Sequence, residues 1–155
     1  MPAQMLKEFL DTQGVEYVVI SHSPAFTAQK IAASAHIRGQ ELAKTVIVKI
    51  DGRMAMAVLP ASQKADLKLL RETAHAANVE LASESEFRDR FPGCDPGAMP
   101  PFGNLYGMDV YVAAGLAEDE EIAFNAGSFT ELVRMAYRDF ERLVQPKVLS
   151  FAVGV

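Results

Sequence analysis

KTVIVKIDGRMAMAVL, the stretch from Lys44 to Leu59, places the dipeptide Asp51-Gly52 between two apolar runs. An Asp-Gly pair in that setting predicts a two-residue hairpin turn, because both turn residues need a positive φ. The residues before the turn alternate as a strand does, and the apolar pattern resumes after it. We therefore predict two antiparallel strands joined by a tight turn.

Helices and strands alternate irregularly on both sides of this hairpin. Apolar residues at helical spacing, β-branched runs, N-cap residues and glycines predict the elements. In chain order they are a helix from Met5 that ends near Gly14, a strand from Tyr17 to Ile20, a short helix from Thr27 to about Ala35 with a turn closed by Gly39, a helix from Leu67 to about Asn78, a helix from Ser83 to about Arg90, and strands at 110–112 and 121–124. No repeat or linker divides the chain, so we expect one α+β domain over residues 1–155 rather than a doubly wound sheet.

Residues 129 to 140 fit two assignments. The apolar residues recur at helical spacing, and Ser128 with Glu131 forms a capping-box pattern, which together favour a helix. The alternative is a core strand from Glu131 to Met135, followed by a helix that starts at Asp139. Periodicity alone does not choose between them.

The composition excludes several classes of protein. The chain is 50% apolar, which excludes intrinsic disorder, and no apolar run is long enough to cross a bilayer. Lys and Arg total 15 against 20 Asp and Glu, and the resulting charge of −5 excludes a protein that coats nucleic acid by bulk charge, but not a local basic site. A single cysteine and the lack of a signal-peptide pattern in the first ten residues lead us to expect a cytoplasmic location.

Lys44 opens the most apolar predicted strand and is the first candidate for chemistry. Strand alternation puts it on the same face as Val46, Val48 and Ile50, with Lys49 on the opposite face. At the mouth of an apolar pocket, such a lysine can hold a phosphate, a carbonyl oxygen or a developing oxyanion. The alternative is a solvated lysine at a strand edge that discourages aggregation.

The loop from Phe91 to Gly107 is the second candidate. It holds four of the eight prolines and four of the ten glycines, and long loops inside compact domains are usually functional or disordered. Its five large apolar residues argue against disorder. The segment Gly97 to Gly103 can bring its backbone close to a ligand and position a water, or it is a rigid structural turn.

Other reactive side chains give weaker signals. Cys94 lacks the pattern of a cysteine nucleophile, and the neighbouring Asp95 raises the pKa of its thiol, so we interpret it as a passive thiol. The histidines at 22, 36 and 75 show no metal-ligand spacing. No phosphate-binding loop, dinucleotide fingerprint or serine-nucleophile elbow is present. We therefore predict neither a metal nor a cofactor.

Four segments together resemble the YbaK/prolyl-tRNA-synthetase-associated domain family of aminoacyl-tRNA deacylases. They are SHSPAFTAQKIA (Ser21 to Ala32), ELAKTVIVK (Glu41 to Lys49), FPGCDPGAMPPFG (Phe91 to Gly103) and DFERLVQPKV (Asp139 to Val148). The similarity runs nearly end to end. It implies a barrel-like, mixed central sheet surrounded by helices.

The resemblance also implies an activity and its partners. Members of this family hydrolyse the ester that joins a wrong amino acid to tRNA, often the tRNA for proline. Some are free-standing proteins that edit in trans, and others are inserted into the synthetase. The implied partner is the aminoacylated 3′ end of tRNA, with prolyl-tRNA synthetase as a second candidate, whereas no membrane partner is implied. The oligomeric state stays open.

The resemblance assigns site residues one by one. Lys44 matches the essential lysine of the family, Thr45 lies beside it at the pocket wall, and His22 lies in a segment that matches an early wall. The loop that closes the site matches Gly97, Pro100, Pro101, Phe102 and Gly103. A further wall matches the segment from Asn125 to Ser128, with Gly127 and Ser128 as the candidate contacts, and Phe129 stands where the family usually has a histidine.

An aminoacyl ester is already activated, so positioning and electrostatic stabilisation can supply the rate without a nucleophilic side chain. In this hypothesis Lys44 anchors the terminal phosphate or the ester carbonyl, and the 97–103 loop orients the attacking water. We expect a small amino acid such as alanine, cysteine or serine, and Met54, Met56, Phe102 and Phe129 are candidates for trimming its pocket. The alternatives are a non-catalytic module that binds aminoacyl-tRNA ends or a nucleotide-like ligand, and a hydrolase that depends on Cys94.

Overall fold

The computed structural model describes residues 2–21 and 41–154. The helices are α1 (Pro2–Thr12), α2 (Leu67–Thr73), α3 (Glu84–Phe87) and α4 (Tyr137–Val144). The strands are β1 (Tyr17–Ser21), β2 (Leu42–Ile50), β3 (Arg53–Pro60), β4 (Gln63–Ala65), β5 (Val79–Leu81), β6 (Asp109–Ala113), β7 (Glu121–Asn125), β8 (Glu131–Ala136), β9 (Lys147–Leu149) and β10 (Ala152–Gly154). The main sheet has the order β1-β8-β7-β2-β3-β6-β9, with β5 paired to β2, while β4 and β10 form a separate pair.

This arrangement confirms the α+β class, with a mixed central sheet. β2 pairs antiparallel with β3 and parallel with β7, β3 pairs parallel with β6, and β6 pairs parallel with β9. The sequence did not indicate the short strands β4, β5, β9 and β10, because three residues are too few to show a period. Within the described ranges, no helix combines the length and apolarity that crossing a bilayer requires.

The predicted hairpin forms the centre of the sheet. Its register runs from Ala43 opposite Pro60 to Ile50 opposite Arg53, and both turn residues have positive φ, 51° at Asp51 and 84° at Gly52. Both faces of the hairpin are buried, because apolar clusters cover each side of the sheet. The Asp-Gly signal therefore identified the element around which the rest of the chain packs.

The larger core, on one face of the sheet, is aromatic at its centre. The Phe102 side chain has no exposed surface, and its ring lies 6.1 Å from that of Phe9, 5.5 Å from that of Phe124 and 5.4 Å from that of Phe140, between ring centroids. Rings at these separations gain about 0.5–1.5 kcal/mol per pair beyond burial. The loop that contains Phe102 is thus anchored in the core from behind.

Residues 131 to 136 form strand β8, the second of the two assignments. β8 lies between β1 and β7 and pairs with both, so tertiary hydrogen bonding overrides the helical spacing. The capping-box interpretation of Ser128 is wrong, since its hydroxyl lies 3.1 Å from the hydroxyl of Thr130 and Glu131 pairs with Lys7 at 3.1 Å. α4 begins at Tyr137, two residues earlier than predicted.

Two other predicted helices have different outcomes. α2 ends at Thr73 rather than near Asn78, because His75 takes a left-handed conformation with φ of 56° and the chain then turns into β5. The predicted helix from Thr27 and the turn at Gly39 lie outside the described residues.

The start of α3 supplies a pH-dependent prediction. Glu86 accepts from the Ser83 backbone N–H at 2.8 Å and from the Lys49 ammonium at 2.5 Å. The Lys49 hydrogen bond, followed by the Ser83 hydrogen bonds, lowers the pKa of Glu86 to about 2. A depressed pKa contributes stability that is complete above the unfolded-state value, near 4.3, and is lost as the pH falls toward 2.

We therefore expect Glu86→Gln to lower the urea midpoint at pH 7, and the difference from the parent protein to shrink as the pH falls from 4.5 to 2. Urea unfolding at four pH values measures this difference. Glu84→Gln, on the same helix and without these partners, is the control. A difference that grows below pH 4.5 would contradict the assignment.

Candidate functional site

Lys44 lies where the central sheet splits. β2 pairs with β7 only over Leu42 and Ala43, and with β5 only from Val48 to Ile50. Between these two contacts, the one strand that pairs with β2 among the described residues is β3, with Leu59 opposite Lys44. A crevice forms where neighbouring strands separate, and such crevices are preferred ligand sites in sheets that contain parallel strands.

The surroundings of the Lys44 side chain are apolar. By strand alternation it shares a face with Val46, Val48 and Ile50, which belong to or pack against the second core, and with Leu42, which belongs to a third cluster. The predicted facing of Lys44 is thereby confirmed. Within residues 2–21 and 41–154, its ammonium has no carboxylate partner, and desolvation by burial lowers its pKa.

Two loops are tied together next to this face. The Asp95 N–H donates to the Gly127 carbonyl at 2.9 Å, and the Gly127 N–H donates to the Ala98 carbonyl at 2.8 Å. The Phe129 N–H donates to Oδ2 of Asp95 at 3.4 Å. Gly97 and Gly127 have φ of 88° and 104°, which β-carbon-bearing residues rarely adopt. We call residues 95–98 together with 127–129 the glycine cradle.

Phe129 connects the glycine cradle to the Lys44 face. A β-carbon built on Gly97 would lie 3.5 Å from the Phe129 Cζ, so the ring lies against one side of that glycine, which is otherwise exposed. Phe129 also packs against the third cluster, which contains Leu42 and Ala61. Leu42 precedes Lys44 by two residues on the same face, so the structure brings Lys44, Gly97, Gly127 and the Phe129 ring to one end of the sheet.

The remaining predicted site residues lie elsewhere. Thr45 is 8% exposed and, by alternation, faces the larger core, on the opposite side of β2 from Lys44. Pro100, Pro101 and Gly103 are buried, and Phe102 and Met56 are fully enclosed in the core. Ser128 is half-buried beside the cradle, whereas His22 lies outside the described residues.

Gly103 has a steric role. A β-carbon there would overlap the Met108 carbonyl oxygen and lie 2.6 Å from the Val110 Cγ2. The Met108 N–H donates to the Gly103 carbonyl at 2.9 Å, so these two backbone segments are in close contact. This glycine is required by packing, which agrees with the structural-turn interpretation for the end of the loop.

Cys94 does not have the environment of a nucleophile. It is half-buried, and burial raises the pKa of its thiol, although a hydrogen bond with the Tyr106 hydroxyl opposes that shift in part. A thiol with a raised pKa is mostly un-ionised at neutral pH. In the described part of the chain, no three His, Cys, Asp or Glu side chains are grouped as metal ligands.

Asn125 lies in the segment that the family resemblance matches to a further pocket wall, but sequence reasoning assigned it no role of its own. Its Oδ1 is buried and has no hydrogen-bond partner among the described residues, and the residue ends β7 two positions before Gly127. A lone asparagine at a strand end carries no distinctive pattern. Its buried side-chain oxygen identifies it, and that feature is visible only in the structure.

A groove of about 740 Å³ lies at the opposite end of β8. It is lined by four carboxylates and two guanidiniums, from Asp11, Glu16, Glu121, Asp139, Arg134 and Arg138. This excess of negative charge is unsuited to a phosphate backbone.

Known sequences match this chain over most of its length. The profile of the aminoacyl-tRNA editing domain family matches residues 22–143, which include Lys44 and the whole glycine cradle. The multifunctional Ser/Thr-tRNA deacylase ProXp-y of Escherichia coli strain K12 is 33% identical over 156 residues, covering 96% of this chain and 91% of that protein. ProXp-y of strain O157:H7 matches to the same extent.

Solved structures share the fold. A proposed trans-editing enzyme for prolyl-tRNA synthetase superposes with a TM-score of 0.83 at 18% identity, covering 99% of this chain and 98% of the other. A hypothetical protein superposes with a TM-score of 0.84 at 19% identity, covering 96% and 99%. The family profile and the sequence relatives show more than a shared fold. The chain belongs to the aminoacyl-tRNA editing domain family, a family of aminoacyl-tRNA hydrolases.

Proposed function

We propose that this chain removes a small amino acid from mischarged tRNA by hydrolysing the ester at Lys44. The single observation that carries the proposal is the half-buried Lys44 ammonium, which has no carboxylate partner among the described residues. A cation in an apolar, partly dry site interacts with developing negative charge more strongly than one in water. The terminal ester of tRNA develops that charge on its carbonyl oxygen when water attacks.

Different groups of the chain have different roles in this hydrolysis. Lys44 holds the ester carbonyl or the terminal phosphate, and exposed backbone at Gly97 faces the attacking water. The ribose hydroxyl of the substrate assists by accepting or relaying the proton. No serine or cysteine nucleophile is needed, which fits a thiol at Cys94 whose raised pKa keeps it protonated.

The other predicted residues act at different distances from the substrate. In this proposal Gly127 and Ser128 line the pocket, while Pro100, Pro101 and Gly103 fix the loop from the core side. Phe102 is buried in the core and supports the loop rather than contacting substrate. Thr45 stabilises β2 from the opposite face, and His22 stays a predicted contact of the early pocket wall.

Two arguments select the proposed amino acid: the expectation of a small pocket, and the esters for which the E. coli relative is named. Alanine, cysteine and serine on the tRNA for proline are the candidates from the family resemblance, and the E. coli relative is named for seryl and threonyl esters. Serine is common to both. We therefore propose seryl-tRNA as the preferred substrate class, in the cytoplasm, where tRNA is charged.

A deacylation panel tests the proposed function. Purified protein is incubated with alanyl-, cysteinyl-, seryl- and threonyl-tRNA for proline, and ester loss is followed against buffer. Release of at least one amino acid faster than in buffer supports the proposal. Saturable binding of the same tRNAs with no release would instead favour a non-catalytic binding module, and full activity of Cys94→Ser would eliminate a cysteine nucleophile.

Phe129 supplies a prediction about specificity. Because its ring lies against Gly97, we expect Phe129→Ala to enlarge the acyl pocket. The preference for serine over larger amino acids, expressed as a ratio of kcat/KM values, should then fall about tenfold, which is the discrimination typical of one or two methylenes. The measured quantity is the ratio of kcat/KM values for seryl- and leucyl-tRNA. Phe129→His, which refills the position, should keep the parent ratio, and an unchanged ratio in Phe129→Ala would show that the ring does not size the pocket.

We also propose that residues 1–155 form one editing domain, although the family profile matches only 22–143. Leu6 and Leu10 of α1 are fully buried in the larger core, and Phe151, near β10, is fully buried in the second. Segments that contribute fully buried side chains to both cores are integral to the domain.

A further inference from the structure

Asn125 and Lys44 occupy neighbouring positions on one face of the sheet. β2 and β7 run parallel with Leu42 opposite Ala123 and Ala43 opposite Phe124, and Lys44 and Asn125 are the next residues along the two strands, just past the last pair of this ladder. Residues two apart on a strand share a face, so Lys44 lies on the face of Leu42 and Asn125 on that of Ala123. Leu42 and Ala123 belong to the same apolar cluster and so lie on one face of the sheet. Lys44 and Asn125, two residues further along each strand, therefore share that face.

The row across the sheet is otherwise apolar. Ile20 on β1 pairs with Leu132 on β8, and Leu132 pairs with Asn125 on β7. On the other side, Lys44 pairs with Leu59 on β3. Asn125 and Lys44 are therefore the two polar residues at the middle of a row whose other members are aliphatic.

The amide oxygen of Asn125 is unsatisfied. Oδ1 is buried and accepts no hydrogen bond from any described residue, and a buried acceptor left unpaired destabilises the fold. The nearby carbonyls of Gly127 and Ala98 are already occupied by N–H groups of the glycine cradle. Lys44 is a cation and accepts nothing, so Asn125 supplies the unused acceptor beside it.

We propose that Asn125 binds the α-ammonium group of the aminoacyl ester, through its side-chain oxygen, while Lys44 takes the ester carbonyl or phosphate. This inference rests on the proposed function. The α-ammonium is a strong donor that every aminoacyl-tRNA carries next to the scissile ester, and Lys44, itself a cation, cannot accept a hydrogen bond from it. Asn125 is only half-buried as a residue, so a rotation of its amide presents Oδ1 to a ligand.

The test compares an aminoacyl substrate with one that lacks the α-nitrogen. Asn125→Ala is assayed on alanyl-tRNA and on the propionyl ester of the same tRNA. We expect kcat/KM for alanyl-tRNA to fall between about 10-fold and 100-fold, the range for a charge-assisted hydrogen bond, and the propionyl rate to change less than twofold. Asn125→Asp, which keeps an oxygen in place, should restore most of the alanyl activity.

The control is Asn104→Ala, at an exposed asparagine directly after the 97–103 loop, and its kcat/KM should match that of the parent protein on both substrates. Equal losses on both esters in Asn125→Ala would overturn the inference, because they would indicate a structural role or an action through Lys44. No loss on either ester would overturn it as well.

A binding arm separates this inference from the proposed function. Affinities are measured for a non-hydrolysable alanyl-amide of adenosine and for its propionyl counterpart. Tighter binding of the alanyl analogue that disappears in Asn125→Ala supports the role of Asn125 even if no ester is hydrolysed. Hydrolysis by the parent protein with no such difference would leave the proposed function standing and remove the role of Asn125.

Discussion

Lys44→Ala is expected to lower kcat/KM for mischarged tRNA by about 100-fold or more while the protein stays folded. Removing one donor that stabilises a developing oxyanion typically costs 10²–10³ in rate. Lys44 is half-buried and shows no ion pair with the described residues, so we expect its ammonium to contribute little to the stability of the fold. Deacylation kinetics and a thermal unfolding curve for the same preparation check both parts.

The matched control is Lys49→Met, five residues along the same strand. Lys49 lies on the opposite face and pairs with Glu80 at 3.3 Å and with Glu86. We expect it to keep deacylation within twofold of the parent while losing some stability. If Lys49→Met lost as much activity as Lys44→Ala, bulk charge rather than a specific site would explain the effect.

Phe102→Ala is expected to give the largest loss of stability, about 3–5 kcal/mol of unfolding free energy. The ring is fully buried and contacts three other phenylalanine rings, and removing a large core aromatic leaves a cavity as well as unburied surface. At about 2–4 °C per kcal/mol for a domain near this size, the Tm should fall by more than 6 °C. Urea unfolding at 25 °C measures the free energy directly.

The same variant distinguishes scaffold from substrate contact. If Phe102 is scaffold, Phe102→Leu should recover much of the stability, and the activity of each variant should track its folded fraction. A variant that kept the parent stability and lost activity would instead make Phe102 a contact of the substrate. Its place between Phe9, Phe124 and Phe140 leads us to expect the first result.

The parts of the fold that local chemistry dictates were predictable. Asp51-Gly52 specifies its turn through positive φ at two successive residues, and the alternation of β2 correctly separates Lys44 from Lys49. Residues 131–136 were not decidable, because their identity as a strand depends on β1 and β7, which lie far away in sequence. The parallel pairings of β2, β3 and β6 likewise leave no local signal.

The residues of the candidate site also differ in how far the sequence alone could predict them. Lys44 and the glycines of the cradle stood out by residue type, and the structure brings them to one end of the sheet. Thr45 was placed at the pocket because it adjoins Lys44 in sequence, yet neighbours on a strand face opposite sides. Asn125 was placed in a wall segment but given no role, because its position on the Lys44 face arises from the register of two strands whose paired residues are 81 apart in sequence.

The charge of the chain bears on how much of the tRNA it holds. With five more acids than bases, the surface offers little to a phosphate backbone, and the described groove at the far end of β8 is acidic in balance. We infer that recognition concentrates on the aminoacylated 3′ end at Lys44. Affinity for uncharged tRNA should accordingly be weak and sensitive to salt.

The central claim is that the site at Lys44 hydrolyses the ester of a small amino acid on tRNA. Its most direct measurement is the release of labelled serine from seryl-tRNA for proline under single-turnover conditions, with the parent protein and with Lys44→Ala. We predict release well above the buffer rate for the parent protein and a rate within a few-fold of buffer for the variant. Equal release by both proteins, or none above buffer from seryl-, alanyl- or cysteinyl-tRNA, would contradict it.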